Sequence, residues 1–331
     1  MLKPKEKSER MFLISSEKEM FDTLIKEDHP FRKLNEIINW EEIIKPFEKC
    51  YSETGAAAID LEKGIKSLLI QFWEDYSDRQ IEKALQENIA VRWFCGFGII
   101  EQIPKYTYFS KLRARIGTKN IADLFTNINK KLEEFGLFGN VFTFIDASAI
   151  ITKTALWEER DKALKDGAEK LNNLNVENYA ADKDARFGAK SKNKIWYGYK
   201  RHEAVDMRYG LVKKVATTPA NVLDHKVTKN IAPKEGTVFM DKGYDTKKTQ
   251  EVLKAKGLHP STIMKNNNSE KNRDLDRWRS KIRMPFEGTF SKRRRRAKFR
   301  GQVKVLMQCF FEAIVHNLKK AVRILPTTIP V

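Results

Sequence analysis

Long apolar runs are missing from this sequence: none reaches the roughly 18 residues that a membrane span needs. The N-terminus, MLKPKEKSER, is charged with no apolar stretch behind it, so no signal peptide is expected. Cysteine is scarce. Cys50, Cys95 and Cys309 lie far apart and form neither a CxxC knuckle nor an even disulfide set, so they read as reduced, buried cysteines of a cytoplasmic protein. The histidines (His29, His202, His225, His259 and His316) show no HxxxH or HExxH spacing, which argues against a zinc site. There is no Walker-type phosphate loop, no GxSxG elbow and no internal repeat, which argues against an ATP-driven machine and a serine hydrolase. Acidic residues are outnumbered, 44 against 63 basic ones, leaving a net charge of +19. Such a field attracts polyanions and costs self-repulsion in the compact state. Nucleic acid is the first candidate partner, an acidic membrane surface the second, and a merely basic protein the bland alternative.

What is present suffices for a core. The 331 residues are 41% hydrophobic, enough for two domains or one large domain with an insertion. Residues 1–138 read as helical. Asp60 is the expected N-cap of a helix carrying Leu61, Ile65, Leu68, Leu69, Phe72, Trp73 and Tyr76, and Ser77 with Gln80 fits a capping box opening the next. A third helix is expected after Thr107, with Phe109, Leu112 and Ile116 on one side and Lys111, Arg113 and Arg115 over the rest. A fourth carries Ile121 to Phe135, with Gly136 at its C′ position. Short helices with basic faces fit a DNA-binding helix-turn-helix arrangement and an ordinary bundle equally well.

The texture changes at Val141. VFTFIDASAI is a strand-like run interrupted by one acid, and KIWYGYKRHEAV and GLVKKVAT read as two more strands with a tight turn at residues 208–210. Residues 157–193 read as helical at first, then polar and irregular. A helix near Asp224, a strand Thr237–Met240, a helix at 247–256, a strand at 262–264 and a final helix at 302–325 complete the chain. The last helix carries a core stripe of Val303, Leu306, Phe310, Ala313, Ile314, Leu318, Ala321 and Leu325. This order describes an α/β protein: a ribonuclease H-like mixed sheet flanked by helices, preceded by an all-α N-terminal domain. The expected domains are 1–138 and 139–331, the second with an inserted segment at about 150–193. In such a layout the first and fourth strands are parallel neighbours whose C-terminal ends open on one side.

Phosphodiester chemistry at neutral pH needs a nucleophilic oxygen and neutralised phosphate charge, which a pair of Mg²⁺ ions held by a few carboxylates supplies. Isolated acids ending apolar strands are therefore the signal to seek. Asp146, after Val141, Phe142, Phe144 and Ile145, fits best, because an acid in such a run is expensive unless paired or metal-bound. A hydrogen-bonded strand-end aspartate is the plain alternative. Asp241 repeats the arrangement after Val238, Phe239 and Met240, and Asp245 nearby reads as a helix N-cap. Glu287 is weaker by pattern: just after Pro285, a favoured first helical residue, any acid would be stabilised by the helix dipole.

Two basic stretches are candidates for phosphate contact. SKRRRRAKFR crowds Lys292, Arg293, Arg294, Arg295, Arg296, Lys298 and Arg300 behind Glu287, and would otherwise be a solvated face or a nuclear signal. Residues 186–194, with Arg186, Lys190, Lys192 and Lys194, read as a basic, glycine-containing loop without an apolar anchor. Lys200 and Arg283 join the candidate DNA contacts, with Lys111, Arg113 and Arg115 from the helical part.

Taken in order, HPFRKLNEIINW, PKYTYFSKLRARIG, FIDAS, DKDARFGAKSKNKIWYGYKRHEAVD, GLVKKVATTPANVLDH, MDKGYD and FEGTF resemble the DDE transposases of bacterial insertion sequences, specifically the IS-five-type group, over nearly the whole chain. The resemblance implies that Asp146, Asp241 and Glu287 are the catalytic, metal-binding acids. The wider superfamily surrounds its glutamate with Tyr-x-x-Arg-x-x-x-Glu-x6-Lys. Arg283 and Glu287 match, Ser280 stands at the tyrosine position and Arg294 at the lysine position. The implied cofactor is Mg²⁺, with Mn²⁺ an alternative. The implied reaction cuts at terminal inverted repeats and joins the freed 3′ ends to target DNA. Implied partners are double-stranded DNA and further copies of the chain, a homodimer or larger assembly, with no membrane. The implied location is the bacterial cytoplasm, associated with the nucleoid. Two other readings stand beside it: a non-catalytic DNA-binding descendant, and a related nuclease without strand transfer.

Overall fold

The computed structural model describes residues 15–52, 54, 58–153, 173–191, 194–269, 271–291 and 294–326. The helix expected from Trp157 lies outside them. Two compact units emerge: described residues up to Glu134 together with those from Ile314 on, and residues between Phe135 and Ala313. Among the described residues no helix is long and apolar enough to cross a membrane, and Cys50, Cys95 and Cys309 are free, Cys50 only partly buried.

The helical unit opens with α1 (Ser15–Leu24), α2 (Pro30–Ile37) and α3 (Trp40–Ile44). In α4 (Leu61–Trp73) the Asp60 carboxylate accepts from the Glu62 and Lys63 amides, as the sequence predicts. The capping box of Ser77 and Gln80 opens α5 (Asp78–Glu87), and α6 (Ile89–Phe94) follows. The third and fourth expected helices are continuous as α7 (Thr107–Glu134) except at Gly117, whose φ of 72° breaks the helical path. Gly136, with φ 68°, takes the left-handed position beyond its end. The basic face expected on α7 is only partly open. Lys111 and Arg115 are exposed, Arg115 with its guanidinium over the Tyr51 ring, but Arg113 is buried and forked onto Asp78, 2.6 Å from Oδ2.

The second unit is a six-stranded mixed sheet: β1 (Phe142–Ile151), β2 (Arg186–Ser191), β3 (Lys194–Asp206), β4 (Val212–Pro219), β5 (Thr237–Met240) and β6 (His259–Thr262). A short helix, α8 (Val176–Tyr179), precedes β2. β3 lies antiparallel to β1, β4 antiparallel to β3, and β5 and β6 continue parallel on the other side of β1. This is the ribonuclease H-like order. The turn between β3 and β4 is tied by Asp206, whose Oδ2 accepts from the Arg208 and Tyr209 amides. Near Asp224 the chain makes one 3-10 turn and then α9 (Thr228–Ile231). The remaining helices are α10 (Lys247–Lys254), α11 (Arg273–Ser291) and α12 (Gln302–Ile324).

Three expectations are corrected. Residues 186–191 form a strand rather than a loop: β2 pairs with β3, and its apolar anchor is Phe187, 4.9 Å from the Tyr197 ring. β6 lies at residues 259–262, earlier than expected, because the ladder to β5 sets its register and Pro260 is tolerated on this edge strand. Pro285 sits inside α11 instead of opening it, so Glu287 lies in the last third of the helix and the dipole argument for it falls.

Alternation along the strands divides the sheet into two faces. Ile145, Ala204, Val238 and Met240 pack with Val227, Ile231, Tyr244 and Leu253. The opposite face carries Phe144, Asp146 and Ile150 of β1. There Ile150 packs with Tyr199, Val305 and Cys309, while Phe290 of α11 packs edge-on against Phe144 at 5.1 Å. Trp278 of α11 reaches Phe239 of β5 at 6.0 Å, so α11 crosses both acid-bearing strands on the face that holds Asp146.

Candidate active site

Parallel pairing fixes the two aspartates relative to each other. Ile145 is in register with Met240, so Asp146 and Asp241, one residue further along each strand, stand side by side. They also share a face with Phe144 and Phe239, which α11 covers. Burial, helped by the Asp241 charge, pushes the Asp146 carboxyl up to about 6. An amide hydrogen bond from Ala147 and the charges of Lys190 and Arg283 pull the other way. Lys190, on β2, is therefore in electrostatic reach of the site.

α11 brings the third acid by way of an arginine. Arg283 is buried with its guanidinium over the Phe144 ring, 5.1 Å from the centroid. Its Nη1 stands 3.9 Å from Asp241 Oδ1 and its Nη2 3.5 Å from Glu287 Oε1, one helical turn on. Asp241 and Glu287 thus flank a single guanidinium. Among the described residues no three acidic, histidine or cysteine side chains form a ready-made metal cage.

The donor set nonetheless fits a hard divalent cation. All three groups offer oxygen, and the partly desolvated Asp146 is disfavoured as an anion by its acidic neighbour, a cost that a cation between the two carboxylates removes. Asp245 is not part of this set: its Oδ2 accepts from the Lys265 amide and Asn268 Nδ2, tying down a loop. The N-cap of α10 is Thr246, not Asp245 as the sequence suggested.

The candidate DNA contacts separate by environment. Arg186 hydrogen-bonds the carbonyls of Lys183 and Ala185 and pairs with Glu177. Lys200 is held by Asp224 at 2.8 Å and by the Val222 carbonyl. Lys190, Arg295 and Arg296 are exposed, and Arg294 is half-buried. Lys192 and Arg293 lie outside the described residues, as does the side chain of Lys194.

Sequence reasoning missed a set of buried polar residues. Arg201, His202 and Glu203, consecutive on β3, are all fully buried. Burial pushes the His202 imidazole down to about 4, and its Nε2 is 2.9 Å from Thr218 Oγ1, so it is a neutral core histidine. Asp182 and Asp184, in a stretch that read as irregular, accept from the Gly301 and Gln302 amides at the start of α12. Charges in the middle of an otherwise apolar strand were the available signal for the first group.

Two solved structures align with this chain over most of its length. "Mos1 transposase paired-end complex with left transposon end" covers 82% of this chain and 80% of its own, at 8% identity and a TM-score of 0.17. "Crystal structure of the Mos1 mariner paired end complex with Mn" covers 86% and 84%, at 10% identity and 0.18. Scores this low carry no argument. Family profiles carry one: a transposase domain (DUF772) matches residues 19–115, and the transposase DDE domain matches residues 138–318. With more than half of the chain matched, across the strands that bear Asp146 and Asp241, this protein belongs to the DDE transposase family.

Proposed function

We propose that the protein is the transposase of an IS-five-type insertion sequence, cutting DNA at the element's terminal inverted repeats and joining the 3′ ends to target DNA. The observation that carries this reading is the placement of Asp146 beside Asp241, each one residue past the parallel ladder between β1 and β5, with Glu287 across one guanidinium. These three acids would hold Mg²⁺, or Mn²⁺ in its place. When bound, the metal lowers the pKa of an attacking water and neutralises charge on the scissile phosphate.

The chain's own side chains supply the rest. Arg283, fixed by Phe144 and the two flanking carboxylates, keeps Glu287 turned towards the aspartates. Lys190 and the exposed arginines after α11 meet phosphate oxygens and orient the strand. A water oxygen forms the new bond to phosphorus as the bond to the 3′ oxygen breaks. The freed 3′-hydroxyl then attacks a target phosphodiester and displaces a 3′ oxygen there, so no energy source is consumed. Joining two ends in one event calls for at least two copies of the chain. The helical residues up to about 138 are the proposed recognition domain, with Lys111 and Arg115 its exposed candidate contacts.

The test is incubation of the full chain with Mg²⁺ and DNA carrying the element's two ends. Nicked and joined products are expected from the unaltered protein, and neither from Asp146→Asn or Asp241→Asn, which should still bind DNA. Nicking without joining would leave a nuclease, and binding without nicking a non-catalytic descendant. Cleavage at full rate in either variant would place the chemistry elsewhere.

A further inference from the structure

A run of arginines is ordinarily a solvated, loosely held surface, because like charges repel and no apolar side chain anchors the backbone. Residues 294–298 are held instead. Ile151, at the end of β1, donates its amide to the Arg295 carbonyl at 2.6 Å and accepts from the Ala297 amide at 2.9 Å. From the other side, fully buried Gln308 of α12 donates to the Arg296 carbonyl at 3.2 Å and accepts from the Lys298 amide at 2.7 Å. Gln308 also donates to Glu312, whose second oxygen pairs with fully buried Arg201 at 2.5 Å. Arg201 completes the circuit by donating to the Arg294 carbonyl at 3.4 Å.

We infer that Arg201, Gln308 and Glu312 are positioning residues that hold this backbone so that exposed Arg295 and Arg296 dock a DNA phosphate backbone as a fixed pair. Two considerations favour this over plain stabilisation. A buried ion pair is a costly way to fill a core, since apolar residues of similar volume commonly pack at least as well. The cluster's hydrogen bonds also end on main-chain atoms of the arginine run. Placement fits the substrate. Ile151 lies five residues beyond Asp146 on the same strand, about 17 Å of extended chain, the axial length of about five base pairs. A pre-ordered arginine pair loses less freedom on binding and presents its planar forks ready for phosphate.

The inference rests on the reading of the protein as a DNA enzyme, and the experiment separates the two. Binding of the full chain to a labelled duplex of about 40 base pairs is measured in chelator across a salt series. Arg295→Ala/Arg296→Ala should lower the slope of log affinity against log salt by about 2 and weaken binding about tenfold or more. Gln308→Met, which keeps volume and removes the hydrogen bonds, should give a similar fall. Combined with the arginine substitutions it should add nothing further, the non-additivity expected of groups acting through one another. Glu312→Gln, which keeps an acceptor for Gln308, serves as a second arm with a smaller fall of the same sign should Gln308→Met fold poorly. A wild-type slope in both Gln308→Met and Glu312→Gln, or equal losses with and without the arginines, would overturn the positioning role alone. Failure of the unaltered chain to bind the duplex would overturn the DNA-enzyme reading as well.

Discussion

Asp146 is an anion held where water reaches it poorly, with a second carboxylate beside it, and this has a consequence that needs no DNA. Its folded pKa, about 6, lies above the ordinary 3.8. The carboxyl therefore opposes folding only once ionised: full stability is present below the unfolded value and is lost as pH rises through the folded one. The shift from 3.8 to about 6 corresponds to at most roughly 3 kcal/mol. In metal-free protein, Asp146→Asn should be more stable than wild type at about pH 8 by up to that amount, with the gap closing towards about pH 3. Denaturant titration in chelator at several pH values measures it, and a pH-independent gap would show that the carboxyl is freely solvated. The same physics made this residue legible in the sequence, since a lone acid in an apolar strand is conspicuous; Asp241 was legible for the same reason. Glu287 was not, because it depends on how α11 crosses the sheet and on Arg283 between the carboxylates. Both are long-range facts with no local signature.

Among the elements, β5 has the narrowest margin, with four residues that must seat Asp241 beside Asp146. Gly236 leads into it with φ +93°, and a Cβ there would stand 2.2 Å from the Asn140 carbonyl oxygen and 2.5 Å from that of Val141. Both are main-chain atoms, and the second accepts the Thr237 amide that starts the ladder to β1. Gly236→Ala should destabilise by about 2–4 kcal/mol through backbone strain and overpacking together. It should also lose cleavage at temperatures where it remains folded. Gly257→Ala is the control, having a similar left-handed φ of +71° but open space around it, and should cost only about 1–2 kcal/mol with cleavage intact. Equal costs in thermal unfolding would show that sterics against β1 contribute nothing. β5 and the caps of α4 and α5 could be read from sequence because apolar runs and capping side chains are local. The β2 strand could not, because Arg186, Gly188 and Lys190 hide the alternation, and only pairing with β3 identifies it. There Gly188 approaches Ala220 so closely that a Cβ would sit 2.5 Å from its carbonyl oxygen.

At the scale of the whole molecule, the basic excess pointed to a polyanion, but charge counting could not tell which cations the fold consumes: Arg113, Arg186 and Lys200 all have acidic partners within it. The stripe on the last helix was equally plain, although Val303 proves exposed. What an uninterrupted stripe conceals is that α12 serves both units, its residues up to Ala313 clustering with the sheet and those from Ile314 with the helices. In that second part Ile314, Val315, Leu318 and Ala321 are buried, fully buried Asn317 donates its Nδ2 to Asn129 Oδ1 at 2.8 Å, and Lys33 donates to the Val322 carbonyl. Burial of Ile314, Val315 and Leu318 contributes about 1.5–3 kcal/mol each, together comparable to the 5–15 kcal/mol that holds a typical domain folded. Ending the chain after Ala313 should therefore unfold the helical unit while the sheet keeps its core. Amide hydrogen exchange reads this directly: protection should vanish in α4, where Ile65, Leu68 and Leu69 are now among the most buried residues, and persist in β1 and β3. Retained protection in α4 would mean that the first helices close a sufficient core by themselves.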